Sequence, residues 1–223
     1  MGTSNFLEYI LAISVILGHP DKSSFNHAIA STVVSTLREL SYQVNFHDLY
    51  QEGFDPILPA QDLDRDVALP YDIKKHCDQI ASAEGIVIIH PNWWGQPPAI
   101  LKGWIDRVIR PGVAYEFLGG INGEGVPHGL LKAKTGLVFT TSNTYLKREL
   151  EVFGDPLETI WKYCILGLCG VKEFYRRQFG VVVTSTLDQR ERWLEETVDI
   201  VTRNFSRQVE IEDNDTDSLG EPI

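Results

Sequence analysis

Three short stretches stand out because their side chains could bind a phosphorylated, planar ligand. The first is residues 18–26, in which serine hydroxyls and the Asn26 amide precede a predicted helix. A helix N-terminus offers unpaired N–H groups and the positive end of a dipole, so this stretch could bind a phosphate. A structural interpretation is equally open, in which Ser23 or Ser24 caps the helix. The stretch matches neither a Walker A loop nor G-x-G-x-x-G.

The second stretch places two tryptophans in a stiff loop. Trp93 and Trp94 lie within residues 91–98, between prolines and a glycine. Adjacent side chains point in different directions, so one indole could pack inward while the other offers a flat apolar surface to a planar ring. The alternative is that both indoles lie in the core or at a dimer contact. Trp104, on the helix that follows, is expected in the core.

The third stretch, residues 140–145, ends a predicted strand with hydroxyl and amide side chains. Such groups can hydrogen-bond the polar edge of a planar heterocycle, and Tyr145 adds a phenolic proton donor. Considered alone, the stretch is also compatible with an ordinary polar loop. Its meaning therefore depends on which other segments the fold brings beside it.

Apolar runs of strand length alternate along the chain with amphipathic stretches, which is typical of βα units around a parallel sheet. Strands are predicted at residues 10–17, 43–48, 85–90, 136–141 and 172–183. Helices are predicted at residues 26–40, 71–83, 99–108, 156–168 and 187–205. Capping boxes at Asp155–Glu158 and Thr186–Gln189 mark two helix starts. The predicted fold is α/β, with a doubly wound, five-stranded parallel sheet.

The predicted sheet gathers the three stretches at one edge. Ligands of open parallel sheets bind beyond the carboxyl ends of the strands, and the stretches follow the first, third and fourth strands. A phosphate-binding loop, an aromatic wall and a hydrogen-bonding loop together describe a pocket for flavin mononucleotide (FMN). The long irregular segments 51–70 and 111–134 are candidate lids or interface loops.

Composition excludes several classes of function. The 223 residues suit one domain, predicted over residues 1–205, followed by an acidic disordered tail over residues 206–223. A net charge of -11 argues against a nucleic-acid partner, because a phosphate backbone would be repelled. The apolar run at residues 10–17 is too short to span a bilayer, so we expect no membrane insertion and a cytoplasmic location.

The cysteines predict neither a metal site nor disulfides. Cys77, Cys164 and Cys169 give an odd count with no C-x-x-C spacing, which suits a reducing compartment. We expect all three in the core and no bound metal.

The chain resembles the NAD(P)H:quinone oxidoreductases of the flavodoxin-like superfamily over residues 10–205. The strings that carry the resemblance are His19 with Ser24-Phe25-Asn26, Asp48-Leu49-Tyr50, Pro91 with Trp94, residues 98–104, Ala114-Tyr115, and Thr140-Thr141 with Tyr145. The resemblance implies a flavodoxin-like sheet in the strand order 2-1-3-4-5. It also implies a homodimer that builds each site from both chains.

The resemblance assigns roles to residues of this chain. Those expected at the flavin phosphate region are His19, Ser24, Phe25 and Asn26. Those expected to line the isoalloxazine ring are Pro91, Asn92, Trp93 and Trp94, with Trp94 as its wall. Those expected to hydrogen-bond the ring edge are Thr140, Thr141, Ser142 and Asn143. Tyr145 would be catalytic by stabilising charge on the flavin, and Tyr115 and Phe117 would line the substrate cavity of the partner subunit.

The implied reaction passes a hydride from NAD(P)H through flavin N5 to a quinone-like acceptor by a ping-pong mechanism. FMN is favoured over FAD because the region after the second strand is short. Ser142 and Asn143 replace glycines of the family pattern, and Phe153 stands where a histidine would assist Tyr145. Three alternatives stay open: a flavodoxin-like electron carrier, an ancillary regulatory flavoprotein of a potassium-efflux transporter, and a nucleotide-binding module without catalysis.

Overall fold

A computed structural model describes residues 11–119 and 125–206, and it confirms the doubly wound α/β fold. Five parallel strands form the central sheet in the order β2-β1-β3-β6-β7, which is the predicted order 2-1-3-4-5. The strands of this sheet are β1 (Ala12–Leu17), β2 (Gln43–Asp48), β3 (Gly85–Pro91), β6 (Thr135–Ser142) and β7 (Glu173–Gly180). The helices are α1 (Phe25–Glu39), α2 (Tyr71–Ser82), α3 (Ala99–Val108), α4 (Leu146–Phe153), α5 (Pro156–Thr159) and α6 (Leu187–Phe205).

The two faces of the sheet bury separate hydrophobic clusters. Alternate residues of β1 point to opposite faces, because side chains in a strand alternate with a period of two. Ile13 and Leu17 pack with α1 and α6, whereas Ile16 packs with residues of α2 and α3. Trp104 belongs to the cluster that contains Ile16 and is 1% exposed, which confirms the prediction that it lies in the core. Every residue of β3 and β6 is buried, as expected for central parallel strands covered on both faces.

Two elements escaped the sequence analysis. The segment predicted as irregular over residues 111–134 contains an antiparallel hairpin, formed by β4 (Tyr115–Leu118) and β5 (Val126–Gly129). Its strands have four residues each and are largely exposed, so they lack the apolar alternation by which strands are recognised. Helix α4 has only eight residues, and Gly154 ends it in the left-handed conformation at φ 69°.

Further expectations needed correction. The helix predicted over residues 156–168 begins at Pro156, but it takes wider π-type turns from Ile160 to Gly167. Segment 51–70 contains a short 3-10 helix at Ala60–Leu63. Cys77 and Cys169 are buried as predicted, whereas Cys164 is exposed on the outer side of the π-type segment. Residues 207–223, nearly all of the predicted tail, lie outside the described residues.

The predicted helix caps are present. Ser24 accepts a hydrogen bond from the His27 N–H at 3.4 Å, and Thr186 accepts one from the Gln189 N–H at 3.2 Å. Asp155 accepts from the Glu158 N–H at 3.4 Å, so both predicted N-caps start a helix, but the Glu158 carboxylate binds Arg176 at 3.1 Å and the Asp155 N–H donates to the Glu149 carbonyl. Within residues 11–119 and 125–206, no helix is both long and apolar enough to cross a membrane.

A buried histidine pair braces the turn after β2. Glu52 lies 2.9 Å from Nδ1 of His47 and 3.3 Å from Nε2 of His76. Trp104 donates its Nε1–H to Nδ1 of His76 at 3.1 Å, which leaves the proton of a neutral His76 on Nε2, facing Glu52. These three side chains are close enough to hold a metal ion, but that proton makes His76 a hydrogen-bond donor here. The cluster therefore ties β2, α2 and α3 together.

We expect the variant Glu52→Gln to lose about 1–2 kcal/mol of unfolding free energy at pH 7, because one carboxylate serves two buried histidines. Burial opposes ionisation of Glu52, but the hydrogen bonds from both histidines outweigh it and lower its pKa from 4.5 to about 2. A lowered carboxyl pKa stabilises the fold fully above about pH 4.5 and less as pH falls toward 2. Urea unfolding of both proteins between pH 2.5 and 7 measures this. A stability difference that fails to shrink between pH 4.5 and 2.5 would contradict the assignment.

Candidate functional site

A cavity of about 390 Å³ lies where β1, β3, β6 and β7 end, and it is called the first cavity below. Its volume falls in the range of small-molecule and cofactor sites. Ten of the twelve residues predicted to bind a cofactor line it: His19, Ser24, Phe25, Asn26, Pro91, Asn92, Trp93, Thr141, Ser142 and Asn143. The fold thus brings parts of all three stretches into one wall, as the sheet-edge argument required.

The position of Ser24 is compatible with both a helix cap and a phosphate-binding residue. It caps α1, and it also lines the first cavity beside the first, unbonded N–H groups of that helix. Its Oγ lies 3.0 Å from Nδ1 of His27, and Nε2 of His27 lies 2.9 Å from Oδ2 of Asp48. Gln51 donates its backbone N–H to Asp48 at 3.2 Å. This chain of bonds fixes the Ser24 hydroxyl at the positive end of the helix, where an anion would bind.

Asn26 links the phosphate-type loop to the hydrogen-bonding loop. Its Nδ2 donates to Oγ1 of Thr141 at 2.9 Å, while its buried Oδ1 has no hydrogen-bond partner among the described residues. A buried acceptor without a partner is costly, so a ligand with hydroxyl groups would stabilise this position. The ribityl hydroxyls of a flavin are donors of that kind. The residues present therefore fit a flavin: Asn26 would accept from a ribityl hydroxyl, and the N-terminus of α1 would hold the phosphate.

His19 adds polarity to the first cavity without adding charge at neutral pH. Burial lowers the pKa of His19 from 6.5, outweighing its hydrogen bond with the Asp21 carbonyl. Its Nδ1 also lies 3.1 Å from the Asp21 backbone N–H, and its ring is 6.1 Å from that of Trp93. In the neutral tautomer whose Nδ1 accepts from the Asp21 N–H, the ring proton lies on Nε2 and can be donated to a phosphate oxygen, while the helix end supplies the positive potential.

Both tryptophans of the second stretch are exposed, which excludes the core alternative for them. Trp93 is 43% exposed and lines the first cavity, whereas Trp94 is 100% exposed. The Trp93 and Gln96 backbones bond each other at 3.1 and 3.0 Å, and the two residues between them have positive φ, 60° at Trp94 and 71° at Gly95. Positive φ at both central positions is the geometry of a type I′ turn. This turn leaves the Trp94 side chain fully exposed to solvent.

Trp94 lines a second cavity, of about 410 Å³, beside the first. The residues around the second cavity are Asn92, Trp94, Gly95, Thr144, Glu149, Phe153 and Pro156. Asn92 and Thr144 belong to both cavities, so the two are neighbours that share a wall. Asn92 also holds the turn, since its Oδ1 accepts from the Gly95 N–H at 2.9 Å.

Four predicted site residues lie elsewhere. Thr140 is fully buried beneath the site, with Nη1 of Arg176 3.5 Å from its hydroxyl, because it points to the opposite face of β6 from Thr141. Tyr145 is 74% exposed at the N-terminus of α4. Tyr115 packs against the core and Phe117 is 44% exposed on the hairpin. None of the four is among the described residues that line either cavity.

Several residues of the site were not predicted from the sequence. Asp21, Thr144, Val182 and Val183 also line the first cavity. The two valines follow β7, so extending the sheet-edge argument to the last strand would have found them. No sequence pattern marked Glu149 as a residue of the second cavity, because helix α4 was not predicted.

Substitutions of Trp94 test whether the backbone of the turn is strained. A side chain at positive φ costs roughly 1–2 kcal/mol, so we expect Trp94→Gly to be about 1 kcal/mol more stable than Trp94→Ala. The order should reverse at Trp93, which is not among the residues with positive φ. There glycine should be about 0.5–1 kcal/mol less stable than alanine, because it only adds unfolded-state entropy. Urea unfolding of the four variants decides; the same order at both positions would contradict the turn geometry.

Known proteins resemble this chain in sequence and fold. A family model described as a flavodoxin-like fold matches residues 12–199. An uncharacterized NAD(P)H oxidoreductase of Haemophilus influenzae is 36% identical over 173 residues, 74% of this chain and 82% of that protein. NAD(P)H dehydrogenase (quinone) 1 of Cavia porcellus is 32% identical over 122 residues, 46% of this chain and 44% of that protein. The crystal structure of Smu.1420 from Streptococcus mutans UA159 is 28% identical, with a TM-score of 0.75, covering 86% of this chain and 100% of that one.

Proposed function

Because this chain belongs to the family of flavodoxin-like fold proteins, we propose that it is a flavin-dependent NAD(P)H oxidoreductase that reduces a quinone-like acceptor. The relatives named as NAD(P)H oxidoreductase and NAD(P)H dehydrogenase (quinone) support the reaction class. The single observation that carries the proposal is the first cavity, in which ten predicted cofactor-binding residues from three separate strand ends converge. FMN is the proposed cofactor.

Each part of the first cavity has a role in holding the flavin. Ser24 and the N-terminus of α1 would bind its phosphate, and Oδ1 of Asn26 would accept a hydroxyl of its ribityl chain. The indole of Trp93 would cover the ring, and Asn143 would meet its polar edge. When bound, the flavin supplies hydride transfer at N5, which no side chain can perform.

The second cavity is the proposed place for the other reactant. Trp94 and Phe153 give it apolar, flat walls suited to a nicotinamide or a quinone. One space would serve both in turn: NAD(P)H would bind, deliver its hydride and leave before the acceptor entered. Catalysis by this chain would then come mainly from orientation and exclusion of water. Tyr145 is the proposed donor that stabilises charge as the hydride arrives.

A homodimer is part of the proposal. Helix α4 exposes the apolar side chains Leu146, Leu150 and Phe153, spaced as one face of a helix. Trp94 and Phe117 add exposed aromatic surface, and exposed apolar surface of this kind is typical of protein interfaces. In such a dimer, Tyr115 and Phe117 would face the site of the other subunit. Light scattering should give twice the monomer mass for the native protein and the monomer mass for Leu150→Lys.

The test of the proposed function is an absorbance spectrum of the purified protein, before and after NADPH is added under argon. Flavin bands that bleach with NADPH and return with a quinone support the enzyme, and chromatography of the released cofactor separates FMN from FAD. Parallel lines in steady-state kinetics support the ping-pong order, and converging lines overturn it. Bleaching only by one-electron donors would favour a carrier, and a colourless protein that takes up no added FMN would overturn the proposal.

A further inference from the structure

We propose that the second cavity selects flat aromatic ligands that carry a cationic nitrogen group, with Glu149 as the counter-charge. The inference names a class of acceptor for the oxidoreductase, and to that extent it rests on the proposed function. The binding preference itself depends only on this chain. Its basis is a buried carboxylate that lines a cavity with aromatic walls and forms no ion pair with any residue that the structure describes.

Glu149 is 4% exposed and is held by neutral donors alone. Nδ2 of Asn92 donates to its Oε1 at 3.1 Å, and Oγ of Ser142 donates to the same atom at 3.3 Å. Within residues 11–119 and 125–206, no hydrogen bond reaches Oε2, and that oxygen is not among the buried atoms sealed from solvent. Because Glu149 lines the second cavity, we infer that Oε2 faces it.

The basic residues around Glu149 have other partners. On α4, Lys147 lies 3.9 Å from Glu151, and the guanidinium of Arg148 lies over the ring of Phe153 at 5.5 Å. Arg176, from β7, pairs with Asp155 and, at 3.1 Å, with Glu158. No ion pair among the described residues includes Glu149. A buried carboxylate without a cation is costly, so a cationic ligand would gain more here than a neutral one.

The remaining walls fit an aromatic body for that cation. Trp94, Phe153 and Pro156 surround the cavity with apolar surface, and two of them are flat rings. Aromatic rings stack on planar ligands, and their faces also attract a desolvated cation. The carboxylate and the rings therefore favour the same ligand: a planar ring with an amidinium or aminium substituent.

The experiment measures the binding of benzamidine, benzamide and benzoate by calorimetry at pH 7.5, with NADPH absent and with and without added FMN. These probes share one ring and differ in charge. The native protein should bind benzamidine at least about tenfold more tightly than benzamide, and benzoate most weakly. Glu149→Gln keeps an oxygen for Asn92 and Ser142, and it should reduce the preference for benzamidine over benzamide to less than about threefold.

Two further variants make the result decisive. Glu151→Gln removes an exposed carboxylate two residues away on α4, and it should leave the preference unchanged. Trp94→Gly should weaken benzamidine and benzamide alike, because it removes a wall and leaves the charge. A preference that survives Glu149→Gln, or benzoate binding as tight as benzamidine binding, would overturn the inference. Because no turnover is measured, a protein that proves unable to oxidise NADPH would refute the proposed function and leave this result standing.

Discussion

Replacing Ser24 with aspartate is expected to lower the affinity for FMN at least about 100-fold, equivalent to about 2.7 kcal/mol. Aspartate is as good a helix N-cap as serine, so α1 should keep its start and the protein its stability. The new carboxylate, however, would lie in the first cavity, where the helix end now favours an anion. Fluorescence titration of the flavin-free protein with FMN measures the loss.

Thr186→Asp is the matched control for Ser24→Asp. Thr186 caps α6 through the Gln189 N–H and is not among the described residues of either cavity, so the same type of substitution adds the same charge at a distance. Its FMN affinity should stay within about threefold of the native value, because surface charges are screened beyond a Debye length. If the Ser24→Asp variant binds FMN as tightly as the Thr186→Asp variant, the phosphate does not bind at the N-terminus of α1.

Replacing Arg107 with methionine is expected to cost about 3–5 kcal/mol of unfolding free energy, the largest effect on stability that we predict. Arg107 is 4% exposed on α3, and its Nη2 lies 3.1 Å from Oδ2 of Asp62, whose side chain is 1% exposed. Its Nη1 donates to the Asp55 carbonyl at 2.9 Å. Methionine fills much of the space but leaves the Asp62 charge buried and unpaired.

Lys102→Met provides the comparison on the same helix. Lys102 pairs with Asp106 at 2.6 Å, but its side chain is 57% exposed, so its loss should cost at most about 1 kcal/mol. The double variant Arg107→Met with Asp62→Asn should regain part of the lost stability, because the unpaired charge is gone. Equal effects of Arg107→Met and Lys102→Met in urea unfolding would show that the buried pair is not what anchors residues 55–64 to α3.

The elements that position the site were predictable because each has a strong local pattern. Strands β3 and β6 contain the apolar runs Ile86–Ile89 and Leu137–Phe139, and α3 and α6 begin and end at the predicted residues. Because loops that follow parallel strands meet at one edge of the sheet, the order of strands and helices was enough to place Ser24 near Thr141. The elements that were not predicted are short or exposed. Helix α4 and the hairpin of β4 and β5 have too few residues to show an apolar period.

Side-chain direction was harder to predict than position in the chain. Thr140 and Thr141 look alike in sequence, but the alternation of β6 directs only Thr141 into the first cavity. The resemblance favours Trp94 as the ring wall; in the structure Trp94, at positive φ, lines the second cavity, and Trp93 lines the first. No helical or strand period encodes the direction of a turn residue.

The sequence by itself determined the fold class and the edge at which the three stretches meet, because these follow from apolar periodicity and the rules of parallel sheets, whereas the strand order came from the family resemblance. Only the tertiary structure decided how that edge divides into two cavities, and that a buried Glu149 lies in one of them. The physical reason is that burial and pairing of a charge depend on contacts between distant segments. Asn92 and Glu149 are 57 residues apart, and nothing local to either predicts their hydrogen bond.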